Sequence, residues 1–245
     1  MRETRKSMRK QWVIPDVHGF AKTLRCLVEE IIMPARCDEL YLLGDYIDRG
    51  PDSRGVIDYI RELQEDQYNI IALKGNHEDF MVELYDAEVN SSTGWLFNFA
   101  RRKRKAWNAI GGKMTLASFG AGHLKDVPAE YIEWMRNLEY YVVLDDFVLV
   151  HAGLNFKKED PFEDKQAMLW FRDYEIIPEK IGNRRIIHGH VPVNMELITL
   201  AVKNKFYKFI DLDNGPYVLG RSGFGNLVAL ELTSMELVIQ DNRDV

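Results

Sequence analysis

Three short, mainly apolar runs in the first part of the chain are each followed, at once or after one glycine, by Asp or Asn. These runs are Trp12–Pro15, Leu40–Leu43 and Ile70–Lys74. Continuous apolar residues are typical of strands that are buried on both faces, as in parallel sheets covered by helices. Because parallel strands end at one edge of a sheet, we expect the polar residues after these runs to converge there, where α/β sheets bind ligands.

The segments between the runs have apolar residues at helical spacing. The pattern predicts helices over Phe20–Met33, Ser53–Glu65 and His77–Tyr85, with Ser53 as the N-cap of the second. Apolar residues between Tyr131 and Leu138 predict a further core helix. Strands that alternate with helices indicate a parallel sheet with crossover connections.

The second half of the chain contains predicted strands in succession. Runs of this kind indicate antiparallel neighbours and a second sheet. Packed on the first sheet, the second predicts an α/β fold, a β-sandwich of two mixed sheets flanked by helices. The predicted strands are Tyr140–Leu144, Phe147–Val150, Arg184–Ile187, Glu196–Leu200, Phe206–Ile210, Leu227–Leu232 and Glu236–Ile239.

The composition is that of an ordinary globular protein, with 46% hydrophobic and 29% charged residues in 245. No Pro/Gly/Ser-rich linker divides the chain, so we predict a single catalytic domain over residues 11–245 after a flexible basic tail at residues 1–10. The net charge of −6 does not favour a general nucleic-acid binder.

The only cysteines, Cys26 and Cys37, lie outside any metal-type motif and are too few for a secreted disulfide framework. We expect both to be free thiols. The basic start lacks the apolar run of a signal peptide, and no apolar stretch is long enough to span a membrane. These features predict a cytoplasmic protein that does not act at a membrane.

Residues 89–122 differ in character from their surroundings. They contain the basic run Arg101–Lys105, with Trp95 and Trp107 on either side of it. Such a run is usually the solvated face of a helix. Its position between two motifs also allows a cap or lid whose rim attracts anions, and both interpretations stay open.

Five motifs place metal-type donors after apolar runs. Carboxylates, imidazoles and an amide oxygen suit hard or borderline divalent cations, and a pair of cations needs at least one ligand that can bridge them. The five together predict a dimetal site. They are Pro15-Asp16-Val17-His18-Gly19, Gly44-Asp45-Tyr46-Ile47-Asp48-Arg49-Gly50, Gly75-Asn76-His77-Glu78, His151-Ala152-Gly153 and His188-Gly189-His190.

These motifs resemble the signature blocks of the PPP family of metallophosphatases, which includes calcineurin-type phosphatases, small bacterial Ser/Thr protein phosphatases and symmetrical diadenosine tetraphosphatases. The resemblance covers most of the chain and is closest to the small bacterial phosphatases. It implies a calcineurin-like fold and a set of metal ligands, while His123 and His188 are expected to be ordinary histidines. The implied ligands are Asp16 and His18 for the first ion, Asp45 as the bridge, and Asn76, His151 and His190 for the second.

The resemblance also implies how the reaction proceeds. A hydroxide held by both metals attacks phosphorus directly, and His77, held as imidazolium by Asp48, protonates the leaving group. Arg49 binds the phosphoryl oxygens. The segment Leu169-Trp170-Phe171-Arg172 resembles the Trp-x-Arg element of the bacterial members, which makes Arg172 a second phosphate ligand, whereas Trp170 by itself would indicate core packing.

Two features depart from the family pattern. Pro15 stands where the family most often has glycine before the first Asp, and proline excludes a glycine-only conformation there. The segment from Ile210 resembles a bacterial block that turns over the site into a final strand, but residues 216–226 form a longer Gly-rich insertion. We expect Pro15 to be tolerated. The insertion affects the geometry of the rim of the site.

We therefore expect a metal-dependent phosphomonoesterase that hydrolyses phosphoserine and phosphothreonine in proteins. Its cofactors are expected to be two divalent ions, Mn²⁺ first, with Fe or Zn as alternatives. The partner is a phosphoprotein or a small phosphate ester, with no nucleic-acid or membrane partner. Two alternatives stay open: a symmetrical bis(5'-nucleosyl)-tetraphosphatase, which would share the ligand motifs, and a non-catalytic phosphate-binding module.

Overall fold

The computed structural model of the chain describes residues 9–90 and 95–245, so most of the predicted tail lies outside the described residues. The described residues form two mixed β-sheets with helices outside them, as the sequence predicted. The strands are β1 Gln11–Ile14, β2 Glu39–Leu42, β3 Asn69–Ala72, β4 Tyr141–Val143, β5 Phe147–Val150, β6 Arg185–His188, β7 Phe209–Asp211, β8 Asn226–Glu231 and β9 Glu236–Asp241.

Helices follow each of the first three strands, and the remaining helices are spread over the rest of the chain. The first continues into a π-helical segment, Leu27–Ile32. Short 3₁₀ turns lie at Leu124–Asp126, Pro161–Glu163 and Pro178–Ile181. The helices are α1 Ala21–Cys26, α2 Ser53–Glu65, α3 Asn76–Asn90, α4 Trp95–Ala109, α5 Gly112–Ser118, α6 Ala129–Arg136, α7 Lys165–Trp170 and α8 Met195–Lys203.

The first sheet has the strand order β3-β2-β1-β8-β9. Its members β1, β2 and β3 run parallel in register, with Ile14 beside Leu42 and Leu42 beside Ala72. Since these strands end level with one another, the residues that follow them lie at one edge. The antiparallel pairing of β8 with β1 and β9 adds the chain's last two strands to this sheet.

The second sheet has the order β4-β5-β6-β7. Strands β5, β6 and β7 are parallel, and β4 pairs antiparallel with β5. The parallel strands again end at one edge, and His188 at the end of β6 lies beside Asp211 at the end of β7. Each sheet therefore has the carboxyl ends of three parallel strands at one edge.

The apolar core has three layers. The middle layer lies between the two sheets and includes Val13, Leu149, Ile187 and Val228. A second cluster packs the helices of the first half on the outer face of the first sheet, and a third covers the outer face of the second sheet. Burial on both faces explains why the central strands have continuous apolar sequences.

The predicted strand Glu196–Leu200 is wrong, because this segment belongs to helix α8. Asn194 caps the helix by accepting a hydrogen bond from the Glu196 backbone N–H at 2.8 Å. Leu197 and Leu200 are exposed while Ile198 is fully buried, so a helix, rather than alternation along a strand, explains the apolar positions. In a segment this short, adjacent apolar residues do not distinguish the 3.6-residue period of a helix from the two-residue period of a strand.

Two smaller predictions are also corrected. Ser53 is not the N-cap of α2, because Asp52 occupies that position and its side chain accepts from the Gly55 backbone N–H at 2.8 Å. The strand predicted over Phe206–Ile210 covers Phe209–Asp211, and Phe206 is 84% exposed. An apolar residue at a strand's edge does not by itself show that the strand includes it.

Part of the predicted lid region forms α4 and α5, while residues 91–94 lie outside the described residues. Arg101 and Arg102 are exposed on α4, whereas Lys103 and Arg104 form ion pairs with Glu83 and Glu88 of α3. The basic run is thus a partly solvated helix face whose charges meet acids on the neighbouring helix.

Both cysteines are free thiols, as the sequence predicted. Within the described ranges, no helix is both long and apolar enough to cross a membrane.

Candidate metal centre and its rim

The predicted metal ligands come together where the carboxyl ends of both sheets meet. Asp16 and His18 follow β1, and Asp45 follows β2. Asn76 begins α3 shortly after β3, and His151 follows β5. His190 lies two residues beyond β6, and its backbone N–H donates to Asp16 at 3.1 Å, which joins the two sheets at this point.

One group of donors consists of His151, His190 and Asn76. The Asn76 Oδ1 lies 2.9 Å from both His151 Nε2 and His190 Nδ1, and those nitrogens are 3.2 Å apart. The His151 Nδ1 faces the carbonyl of Leu43 at 3.0 Å and must carry the proton, so its Nε2 presents a lone pair. Three donor atoms this close to one another are the arrangement expected around a bound cation.

A second group lies on the other side of Asp45. The His18 Nδ1 donates to the Ile47 carbonyl at 3.0 Å, which leaves its Nε2 free to ligate. That Nε2 lies 3.6 Å from Asp45 Oδ2 and 3.9 Å from Asp16 Oδ2. The other Asp45 oxygen, Oδ1, lies 3.6 Å from His151 Nε2. Asp45 therefore offers one oxygen to each group, as a bridging ligand does.

Buried charge is concentrated here. Burial and the carboxylates of Asp213 and Asp45 raise the pKa of Asp16 well above its ordinary value. The pKa of His190 is lowered to about 3 by burial and by His151, so this imidazole is neutral. Closely spaced carboxylates with neutral imidazoles are stabilised by a cation between them. The residues present thus fit bound divalent metal ions.

The backbone at this edge is strained where ligands are presented. Asp45, His18 and His190 have φ values of 53°, 50° and 78°, a region that side chains other than glycine rarely adopt. Gly44 has φ of 110°, and a Cβ there would lie 2.5 Å from the backbone nitrogen of Gly75. A glycine is required at this close approach of the two loops.

Asp213 was not predicted as a site residue. It is fully buried, its Oδ1 accepts from the Gly215 backbone N–H at 2.7 Å, and its Oδ2 has no hydrogen-bond partner among the described residues. Its charge is among the main causes of the raised pKa of Asp16. The sequence matched the segment from Ile210 to a block that turns over the site, but it did not single out Asp213, because only the fold brings this residue near Asp16.

Glu78 of the third motif holds the backbone of the second motif through hydrogen bonds. It is fully buried and accepts hydrogen bonds from the backbone N–H groups of Asp45, Tyr46 and Gly75 at 2.9, 2.8 and 3.0 Å. Burial and Asp45 raise its pKa to about 8, and the backbone donors act in the opposite direction. The sequence analysis assigned roles to Asn76 and His77 of this motif but none to Glu78, so its role in positioning Asp45 was missed.

The proposed acid His77 lies at the same edge. Its Nδ1 is 2.6 Å from Asp48 Oδ2, and its Nε2 is 3.8 Å from Asp45 Oδ2. Burial alone would lower the pKa of His77, but the carboxylates of Asp45 and Asp48 outweigh it and the pKa lies above its ordinary value. The pair is arranged as an imidazolium held by a buried carboxylate.

Arg49 is exposed at the rim. Its guanidinium stacks on the ring of Tyr217, with 4.0 Å to the centroid, and the Tyr217 ring meets the edge of His18 at 5.1 Å. Tyr217 belongs to the insertion at residues 216–226, so this loop covers the donor group that contains His18. The sequence marked the insertion but not this contact, which depends on how the loop folds back.

Arg172 is exposed on the opposite side, beyond the end of α7. Together with Gly189 and His188 it lines a cavity of about 570 Å³ beside His190. Trp170 is not a core residue, since it is 39% exposed, with its ring 6.2 Å from that of His190. His188 points its Nδ1 at the Gly189 carbonyl and, like His123, lies in neither donor group of the described residues.

The two sheets and the donors between them define a metallophosphoesterase. Residues 10–221 match the family model for calcineurin-like phosphoesterases, and the chain belongs to that family. The fold alone is also similar to that of a protein serine/threonine phosphatase from Saccharomyces cerevisiae, with a TM-score of 0.61 and 16% identity over 97% of this chain and 80% of that one.

Two kinds of curated relative match parts of the chain. Serine/threonine-protein phosphatase 1 of Salmonella typhimurium is 38% identical over 94 residues, which are 38% of this chain and 40% of that protein. A symmetrical bis(5'-nucleosyl)-tetraphosphatase of Cellvibrio japonicus is 26% identical over 145 residues, 58% of this chain and 44% of that protein. The chain thus spans less than half the length of these relatives.

Proposed function

We propose that the protein is a dimetal phosphomonoesterase that hydrolyses phosphoserine and phosphothreonine in proteins. Asp16 and His18 would hold one ion, Asn76, His151 and His190 the other, and Asp45 both, with Mn²⁺ as the first candidate. When bound, the ions would acidify a water for attack on phosphorus and polarise the phosphoryl oxygens. The observation that carries the proposal is that Asp45 offers one oxygen to each donor group, with the His77–Asp48 pair beside them.

His77 supplies the proton for the leaving alkoxide. Its Nδ1–H donates to Asp48, so the Nε2–H is the proton that faces the centre. A serine or threonine alkoxide leaves poorly without protonation, and the raised pKa of His77 favours its imidazolium form. The arrangement suits an alkyl phosphate ester.

Arg49 and Arg172 bind the phosphoryl group from two sides of the rim. Guanidinium groups form charge-assisted hydrogen bonds with phosphate oxygens, and they strengthen as charge develops in the transition state. The stacking of Arg49 on Tyr217 limits its freedom, so less entropy is lost when it binds phosphate.

A symmetrical dinucleoside tetraphosphatase is the second candidate. It is supported by the tetraphosphatase relative, whose match covers more of this chain than that of the phosphatase, although at lower identity. The cavity of about 570 Å³ beside Arg172 would also offer space for part of a larger phosphate ester.

A substrate panel separates the candidates. Purified protein is stripped of metal, reloaded with Mn²⁺, and given phosphoserine, phosphothreonine and phosphotyrosine peptides beside diadenosine tetraphosphate. The proposal expects kcat/KM to be highest for the phosphoserine and phosphothreonine peptides. A preference for diadenosine tetraphosphate would favour the second candidate. Metal binding without turnover of any substrate would indicate a binding module.

A further inference from the structure

The carboxylate of Asp48 receives hydrogen bonds from two residues that the reaction described above does not use. The Trp107 Nε1–H donates to Oδ2 at 3.0 Å, and the Thr115 hydroxyl donates to Oδ1 at 2.6 Å. Asp48, Trp107 and Thr115 are all fully buried. Asp48 Oδ2 thus receives both Trp107 and His77, while Oδ1 receives Thr115, so neither oxygen is left without a donor.

A small hydroxyl network orients the Thr115 proton. The Asp48 backbone N–H contacts both Ser53 Oγ at 3.0 Å and Thr115 Oγ1 at 2.9 Å, so these oxygens accept there. The two hydroxyls are 3.0 Å apart, and Ser53 can donate to Thr115. The Thr115 proton is then directed at the carboxylate.

The segment that carries these residues is packed tightly against the second motif. Gly111 has φ of 118°, and a Cβ there would lie 2.2 Å from the Arg49 backbone nitrogen. A Cβ on Gly112 would lie 2.3 Å from the Trp107 ring. Gly111, which precedes α5, and Gly112, its first residue, therefore allow Trp107 and Thr115 to approach Asp48 closely.

We infer that Trp107 and Thr115 are positioning residues of the proton-donating pair: they fix the Asp48 carboxylate so that it holds the His77 imidazole with Nε2 towards the centre. This inference rests on the proposed function. A carboxylate held only by His77 could rotate about its side-chain bonds, whereas one held by three donors at two oxygens cannot without breaking a bond. The region predicted as a lid would thus serve proton delivery.

The test compares variants that remove one donor each. Trp107→Phe removes the indole N–H, and Thr115→Val removes the hydroxyl with little change of shape. Each should lower kcat on a phosphoserine peptide about tenfold, the size expected for a hydrogen bond to a charged group. KM and metal content should stay near wild type. With p-nitrophenyl phosphate, whose leaving group needs no proton, the loss should be less than about threefold.

Two controls separate positioning from general loosening. Thr115→Ser keeps the hydroxyl and should restore most of the phosphoserine activity. Leu116→Ala, on the same helix but without a contact to Asp48, should lower stability while leaving the ratio of the two substrates unchanged. In an Asp48→Asn background, Trp107→Phe should cause no further change in that ratio, because both act through one carboxylate.

A measurement without turnover keeps this inference distinct from the proposed function. In ¹⁵N NMR spectra, the indole resonance assigned by Trp107→Phe should shift in Asp48→Asn and stay in place in Leu116→Ala. Absence of that shift, or equal losses on both substrates with no rescue by Thr115→Ser, would overturn the positioning role. If the wild-type protein hydrolyses neither substrate but the shift is seen, the proposed function fails and the contact stands.

Discussion

The edge that carries the predicted metal ligands and the residues that support Asp48 are built on opposite principles. At the edge, Asp16, Asp45 and neutral imidazoles face one another with few hydrogen-bond donors between them, an arrangement that a cation completes. Behind Asp48, Trp107 and Thr115 donate hydrogen bonds to a carboxylate that needs no metal ion. One site thus combines an edge whose charges are balanced by metal with a support that the polypeptide alone completes.

The largest effect expected is the loss of the bridge. Asp45→Asn should abolish activity and lower metal content, because one carboxylate serves both donor groups and offsets the charge of both ions. Chelation of the wild-type protein should have the same effect on activity. Metal analysis and turnover check this together. A variant with two tightly bound metals and near-normal turnover would show that Asp45 is not the bridge.

The next effect separates the acid from the edge. His77→Asn should lower kcat on phosphoserine about 10²–10⁴-fold, the usual worth of general acid catalysis, and much less on p-nitrophenyl phosphate. Asp48→Asn should show the same pattern more weakly, because it only orients and charges the imidazole. Steady-state kinetics on both substrates check this, with metal content as the control. Equal losses on the two substrates would assign His77 another role.

Removal of either rim guanidinium should have an intermediate effect. Arg172→Ala and Arg49→Ala should each weaken the affinity for inorganic phosphate about 10–100-fold, as expected for charge-assisted hydrogen bonds, and leave the metals bound. Titration of phosphate by calorimetry measures the affinity. Lys105→Ala, which removes an exposed charge on α4, is the matched control. Metal loss in both arginine variants would show that these residues support the metal ligands instead of binding phosphate.

The smallest effect concerns stability and pH. Burial lowers the pKa of His188 to about 4, so it is neutral in the folded metal-free protein, whereas the unfolded chain titrates near 6.5. Its contribution is present above pH 6.5 and is lost as the pH falls towards 4, by up to about 1.4 kcal/mol per pH unit. Urea unfolding at several pH values should show that the free energy of unfolding falls less steeply with falling pH in His188→Gln than in wild type.

Local patterns in the sequence were enough to predict most of the strand ends, the order of the donors and the family. These features are local, since an apolar run followed at once by a polar ligand specifies both a buried strand and what lies at its end. The register of β1, β2 and β3 then brings the three tips level. For this reason the predicted ligands lie together in the structure, despite Pro15 before Asp16.

The surroundings of those donors, by contrast, depend on how distant segments of the chain pack together. Trp107 and Thr115 meet Asp48 across 59 and 67 positions of sequence, and Asp213 lies near Asp16 because β7 and β1 end at one place. The helix over Glu196–Leu200 also needed its cap and its packing to be distinguished from a strand. Contacts between distant segments depend on how whole layers pack, and no short pattern of residues records them.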